Sequence, residues 1–150
     1  MKQFLLIIPA ITFLIYVVIA NRPATISKGG ISFFEGSWTE ALKKAEVEHK
    51  PIFVDVSTSW CGWCKKLKRN TFSDKQIGTF FNNNFINVAI DAEKGEGPNL
   101  AQKYRVNGFP TLLVVDKNGE VISSSSGYME SDGLMQLGKN ALKKYNRTIH

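Results

Sequence analysis

Trp60-Cys61-Gly62-Trp63-Cys64-Lys65 holds the only two cysteines of this 150-residue chain. Upstream, Pro51 opens Ile52-Phe53-Val54-Asp55-Val56-Ser57, an apolar, β-branched run closed by Ser57-Thr58-Ser59, which reads as a buried strand. Downstream, Lys65 to Asn70 contains only good or neutral helix formers. The cysteines therefore sit where a strand hands over to a helix, with Cys61 near the helix N-terminus and Cys64 further in. A thiolate at that place is stabilised by unpaired backbone N–H groups and by the positive end of the helix dipole. Lys65 and Lys66 add positive charge. Lowering a thiol pKa favours the thiolate, which is the form that attacks disulfides. The two-residue gap lets Cys64 close back onto Cys61, so one pair can cycle between dithiol and disulfide while passing two electrons.

Two blander readings stand beside this one. A lone Cys-x-x-Cys can be half a zinc site, but zinc takes about four ligands, and His49 and His150 are the only histidines available. It can also be a static bridge, although closing so short a loop constrains the unfolded chain little.

A hydrophobic content of 43% over 150 residues suits a single domain with a real core. The formal charge is +6, but Lys2, Arg22 and Lys28 supply three of those charges before residue 30, where no acid stands. The remainder is mildly basic and evenly mixed, with no run that points to nucleic acid. The cluster Lys65, Lys66, Lys68 and Arg69 reads as a solvated helix face.

Residues 1–20 read as a signal peptide or N-terminal membrane anchor, 21–30 as a linker, and 31–150 as the folded domain. Lys2 precedes Phe4 to Ala20, seventeen residues without a charge, ending in the small-residue pair Val18-x-Ala20. Seventeen is also the lower limit for spanning a bilayer core, so cleaved export and retained anchoring both stay open. Either places the domain outside the cytoplasm, in the periplasm or on the outer face of the membrane in a bacterium. There a pair that only needed to be bridged would be ordinary. A pair flanked by two tryptophans at a strand-to-helix junction is better explained as a working redox centre.

The rest of the domain follows in order. Ile31 to Phe34 reads as a short edge strand. Ser37-Trp-Thr-Glu40 has capping-box spacing before a helix that fades at Glu48-His49-Lys50; His49 reads as a cation at that helix end. Ser73-Asp-Lys-Gln76 is a second such box, opening a helix from about Asp74 to Phe81. Phe85 to Asp91 is a strand, and Pro98 fits the first turn of a short helix through Tyr104. Thr111 to Val115 is a buried strand, Asn118-Gly119 a hairpin turn, and Val121 to Ser123 the return. A closing helix runs from about Ser131 to Tyr145. The order is β-α-β-α-β-α-β-β-α, an α/β fold. Helices between strands predict parallel pairing with helices on both faces, and the late hairpin predicts one antiparallel edge.

Val54-Asp55-Val56, the cysteine stretch, Gly108-Phe109-Pro110-Thr111 and Gly127 together resemble the thioredoxin family over residues 31–145. The fold so implied is thioredoxin-like, a central mixed β-sheet with helices on both faces. Within the family the chain is most similar to the C-terminal thioredoxin-like domain of the bacterial thiol:disulfide reductase DsbD. Thr71-Phe72-Ser73-Asp74 and Tyr128-Met129 carry that likeness, and the chain would be a free-standing version of the domain.

The resemblance implies roles. Cys61 would attack and Cys64 resolve the mixed disulfide. Pro110 would be cis, putting the Phe109 backbone beside the cysteines to pair with an extended substrate; otherwise it is an ordinary strand-entry proline. Trp60, Gly62, Trp63, Phe109, Pro110 and Gly127 would form the substrate surface. Asp55, a carboxylate in an apolar strand, should have a raised pKa and suits taking the proton from Cys64, unless it is a strand-end acid facing solvent. Many thioredoxins pair it with a lysine on the neighbouring strand; Asn87 aligns there, and no lysine is evident to compensate. No cofactor is implied beyond the Cys61–Cys64 disulfide, and no metal. The partners implied are exported cysteine-containing proteins and an upstream thiol donor that could sit in the membrane. The resulting expectation is an extracytoplasmic thiol–disulfide oxidoreductase acting as a reductant, with a non-catalytic binding or chaperone-like module as the alternative.

Overall fold

The computed structural model describes residues 29–148. The proposed signal or anchor, nearly all of the linker, and His150 lie outside them. Among the described residues five α-helices, one π turn and four strands follow one another: α1 (Trp38–Glu48), β1 (Ile52–Ser57), α2 (Gly62–Leu67), the π turn (Lys68–Phe72), α3 (Lys75–Asn84), β2 (Ile86–Asp91), α4 (Gly97–Lys103), β3 (Thr111–Val115), β4 (Val121–Ser126) and α5 (Ser131–Thr148). The strands form one sheet in the order β2-β1-β3-β4. This is a mixed sheet in a thioredoxin-like fold.

Local chemistry accounts for several boundaries. Ser37 and Glu40 form the expected reciprocal capping box at the start of α1. At α3 the cap is Asp74 rather than Ser73. Its carboxylate accepts from the N–H groups of Gln76 and Ile77, and the helix continues past Phe81 to Asn84. The Ser73 hydroxyl instead donates to the Arg69 carbonyl. The β3–β4 turn is held by Asp116, whose carboxylate accepts from Asn118 and Glu120, with Gly119 at φ +79°.

Strand β1 lies inside the sheet and is buried along its whole length. By strand alternation its residues divide between two cores. Ile52, Val54 and Val56 pack with α1 residues Trp38, Ala41 and Ala45 and with Leu100 of α4. Phe53, on the other face, packs with Leu67, Phe72, Ile77, Phe81 and Leu134 from the cysteine helix, the π turn that follows it, α3 and α5. Asp55 and Ser57 follow Phe53 on that second face, and both are buried.

Two expectations about the sheet are corrected. Residues 31–34 are not a strand. The Phe34 N–H does donate to the Asn87 carbonyl, but both backbone groups of Ser32 are taken by side chains. Its N–H donates to Asn82 Oδ1, and its carbonyl accepts from Asn87 Nδ2. A ladder cannot form where side chains replace its rungs.

Parallel pairing also holds only in part. β1 and β2 are parallel, but β1 and β3 are antiparallel, with Thr111 opposite Val56. The helix between β2 and β3 has seven residues, about 10 Å at 1.5 Å per residue. The chain enters β3 at the end of the sheet where β1 finishes. This reversal sets Pro110, just before Thr111, at the end of β1 from which the cysteine segment leaves. The return strand β4 runs through the serine stretch to Ser126.

Candidate functional site

The site grows from the exit of β1. After Ser57 the chain turns through Thr58, Ser59 and Trp60, and Cys61 caps α2 with its side chain. The Cys64 N–H donates to Cys61 Sγ over 3.1 Å. Cys61 thus sits on an otherwise unpaired donor of the helix start, the environment that favours a thiolate. Cys61 and Cys64 are joined by a disulfide. Cys61 is the more accessible of the two, at 6% against 1%.

Two aromatic pairs flank the cysteines. The Trp60 ring meets Phe109 edge-on with centroids 6.0 Å apart, and its Nε1–H donates to Glu93 over 2.9 Å. Trp63 meets Tyr128 at 5.7 Å. The Lys66 ammonium lies 5.1 Å from the Trp63 ring and 4.6 Å from that of Tyr128, a cation–π contact with both. Trp60 and Trp63 remain 65% and 58% exposed. Large apolar rings left in water beside a disulfide form the kind of surface that binds another protein.

The Phe109–Pro110 peptide bond is cis. The Pro110 carbonyl accepts from the Gly127 N–H over 2.8 Å, and Gly127 has φ +94°, a conformation that favours glycine. The Thr111 hydroxyl donates to the Gly108 carbonyl over 2.7 Å. Phe109 is in ring contact with Trp60, so the residues next to Cys61 and next to Pro110 touch. Gly62 lies exposed at the start of the helix, with open space where a Cβ would stand.

Asp55 turns inward, with no solvent exposure. Burial pushes its carboxyl up to about 6, against the opposing pull of the Lys68 ammonium and the Ser57 hydroxyl. Lys68 Nζ stands 3.7 Å from Asp55 Oδ2 and 3.1 Å from Ser57 Oγ. Asp55 Oδ1 is buried without a hydrogen-bond partner. The expectation that no lysine compensates this acid is therefore corrected. The cation comes from the cysteine helix and not from the neighbouring strand. Asn87 stands opposite Phe53, while Ala89 is opposite Asp55, and the Asn87 amide is engaged with Ser32 and Asn82.

The sequence reading gives Lys66 only as added positive charge beside the thiols, and it does not single out Lys68, Ser57 or Glu93 as parts of the site. A signal for Lys68 was present, because it lies four residues after Cys64, the spacing that puts two side chains on one helix face. Glu93 gave no comparable sign, since its contact with Trp60 spans 33 residues of chain. Among the described residues no three His, Cys, Asp or Glu side chains cluster as metal ligands would.

Residues 38–142 match the family model for a thioredoxin-like domain. Among curated proteins, rat spermatogenesis-associated protein 20 is 30% identical over 107 residues, covering 66% of this chain and 13% of that protein. Thiol:disulfide interchange protein DsbD of Haemophilus influenzae is 32% identical over 99 residues, covering 63% and 17%. The chain thus spans under a fifth of the length of these relatives. Among solved structures, a candidate disulphide-isomerase from Bacteroides thetaiotaomicron is 43% identical with a TM-score of 0.69, over 78% of this chain and 97% of that one.

Proposed function

The chain belongs to the thioredoxin-like domain family, and we propose that it is a thiol–disulfide oxidoreductase working outside the cytoplasm as a reductant of exported proteins. The observation that carries this reading is the Cys61–Cys64 disulfide at a helix start, with the neighbours of Cys61 and of cis Pro110 in ring contact. The similarity to DsbD supports the reductive direction. The apolar stretch from Phe4 to Ala20 supports export, and serves either as a cleaved signal or as an anchor. No external cofactor is needed, because the reduced Cys61–Cys64 dithiol itself carries the two electrons and closes to the disulfide when it gives them up. The partners are exported proteins with cysteines and a thiol donor that recharges the pair.

In the reduced protein the Cys61 thiolate attacks one sulfur of a substrate disulfide. That bond breaks, and the other substrate sulfur leaves as a thiolate and takes up a proton. Cys64 passes its proton to Asp55 and attacks Cys61 Sγ. The mixed disulfide breaks, and the second substrate sulfur leaves and receives the proton from Asp55. The substrate gains two electrons and two protons, and the protein returns to its disulfide. Trp60, Trp63, Phe109, Gly62 and Gly127 form the surface on which an extended substrate segment lies against the Pro110 backbone.

Insulin-disulfide reduction tests the activity. Wild-type protein should reduce insulin, and Cys61→Ser should not. Cys64→Ser should accumulate substrates covalently bound through Cys61; equal trapping by Cys61→Ser sinks the assignment. The exposed Trp60 and Trp63 also suit a binding module without turnover, and that reading wins if wild type and Cys61→Ser are equally inert. The reduction potential of the pair tests the direction, and an alkaline wash of membranes carrying the full chain separates anchor from cleaved signal.

A further inference from the structure

We propose that Lys66, held against the Trp63 and Tyr128 rings beside the disulfide, is a specificity-determining residue that selects protein substrates carrying an acidic side chain close to the reactive cysteine. The proposal deepens the reading of Cys61–Cys64 as an exchange pair and rests on it.

From Trp60 to Ser73 the chain has Lys65, Lys66, Lys68 and Arg69 and no acid. Lys68 turns to Asp55. Among the described residues no carboxylate forms an ion pair with Lys65, Lys66 or Arg69. Asp74, the first acid after them, caps α3 through Oδ1 and accepts from the Ser131 hydroxyl through Oδ2. Glu130, two residues beyond Tyr128, is exposed and pairs with none of these cations. The cysteine helix therefore carries positive charge that the protein does not neutralise. Such a face attracts an acidic segment and raises its rate of encounter.

Lys66 differs from Lys65 and Arg69 in being held in place. Its ammonium stands 5.1 Å from the centroid of Trp63 and 4.6 Å from that of Tyr128. Its side chain is half-buried, whereas Lys65 and Arg69 are exposed. The cradle is itself tied down. Trp63 lies between the two cysteines, and Tyr128 follows Gly127, whose N–H donates to the Pro110 carbonyl. The Thr71 hydroxyl, on the π turn, donates to the Met129 carbonyl over 2.7 Å and fastens the Tyr128-Met129 segment to the cysteine helix. Exposed ion pairs are weak partly because a long side chain must be ordered to make them. Packing on two rings has already ordered Lys66, so less freedom is lost when a substrate binds. The ammonium has three donors, and those turned away from the rings are free for a carboxylate.

The Trp60 side of the disulfide has the opposite character. Trp60 meets Phe109, and its Nε1–H donates to Glu93. An acidic side chain lying there meets a carboxylate, while on the Trp63 side it meets an ammonium. This polarity sets which end of an extended substrate segment carries the acid. An anionic lipid surface would call for spread charge and not for one ordered cation beside a disulfide, so the occupant is a protein segment.

The test is single-turnover reduction of short peptides, each closed by one internal disulfide, by the pre-reduced full chain. Glu, Gln or Lys is placed in turn on either side of one cysteine, and products are separated after an acid quench. At low salt the wild type should reduce the better-placed Glu peptide about three-fold faster than its Gln counterpart, within the roughly 1.5- to five-fold that an exposed ion pair supplies. The Lys peptide should be slowest. The preference should fade at about 1 M salt, where charges are screened beyond about 3 Å. Lys66→Gln should bring the Glu:Gln ratio to about one and Lys66→Glu should invert it, while Lys66→Arg, which also stacks on aromatic rings, should keep it. The ratio is the readout because any loss of thiolate stabilisation at Cys61 slows all peptides alike. Equal wild-type rates on the Glu and Gln peptides overturn the proposal. So does a Glu preference that survives in Lys66→Gln, which would belong to the general field of Lys65 and Arg69.

Binding separates this proposal from the exchange reading. Peptides with serine in place of both cysteines cannot exchange, and their affinity for the oxidised full chain is read by tryptophan fluorescence. A Glu form bound about three-fold tighter than the Gln form, with no peptide reduced, removes exchange and keeps the Lys66 subsite. Equal binding and equal reduction of the two forms removes the subsite and leaves exchange in place.

Discussion

The two faces of β1 are built from one six-residue strand and treat polar atoms oppositely. One face carries Ile52, Val54 and Val56 and is hydrocarbon throughout, packed on α1 and α4. The other begins as hydrocarbon at Phe53 and then buries a carboxyl and a hydroxyl, at Asp55 and Ser57, under the cysteine helix. Burying a charge is costly unless a partner offsets it. That partner is Lys68, and it reaches only the second face. The polar atoms are thus gathered at one end of one face, the end from which the chain leaves for Cys61. The contrast teaches that the sheet tolerates a buried acid only within reach of a hydrated cation.

The largest effect should come from moving the acid to the wrong face. Val54→Asp puts a carboxylate among α1 and α4 side chains with no cation at hand. The loss should be about 3–5 kcal/mol or more, much of the stability of a small domain. Urea unfolding measures it, and a variant as stable as wild type would show that Lys68 is irrelevant to the tolerance of Asp55.

Removing the acid from its own face should do the reverse. The Asp55 carboxyl titrates near 6 in the folded protein against an ordinary 3.8. The folded state therefore holds its proton longer, and stability falls as pH rises from about 4 through about 6. At neutral pH the penalty is about 3 kcal/mol. Asp55→Asn should recover up to that amount at pH 7 and nothing below pH 4, as thermal unfolding across that range would reveal. A uniform loss of stability would mark Asp55 as a structural hydrogen-bonded acid. The same variant should slow insulin reduction by about 10²-fold or less, because water partly replaces a general base, and the limb of the rate profile near pH 6 should disappear.

The smallest effect belongs to Ser57→Ala. It removes the hydroxyl shared by Lys68 and Asp55, at a cost of about 1 kcal/mol. The Asp55 carboxyl should move further up, since Ser57 helps hold it down. An unchanged carboxyl midpoint would leave Lys68 as the sole counterweight to burial.

Much of this was legible because it is local. The strand before the cysteines, the Ser37–Glu40 box, the Asn118-Gly119 turn and the closing helix each depend on residues a few positions apart. Apart from the cap of α3, which shifts by one residue from Ser73 to Asp74, the failures are long-range. Residues 31–34 look like a strand until Asn82 and Asn87, some fifty residues away, take the backbone groups of Ser32. Lys68 looks like one more cation on a basic helix face, and Asn87, which aligns with a partner lysine, stands opposite Phe53 and not Asp55. Glu93 was unmarked because its contact with Trp60 joins two loops.

The sequence by itself determined the chemistry on offer: a cysteine pair at a strand-to-helix junction, an acid in an apolar strand, and two tryptophans beside the thiols. Periodicity, capping and spacing are properties of neighbouring residues, and a chain displays them without folding. Only the tertiary structure decided how those parts meet. The antiparallel entry of β3 brings cis Pro110 to the end of β1, because Thr111 pairs with Val56. Lys68 becomes the counter-ion of Asp55 because the helix after Cys64 lies across the Phe53 face and widens at that residue. Charge interactions depend on distance and dielectric, and both are set by packing between segments that the sequence keeps apart.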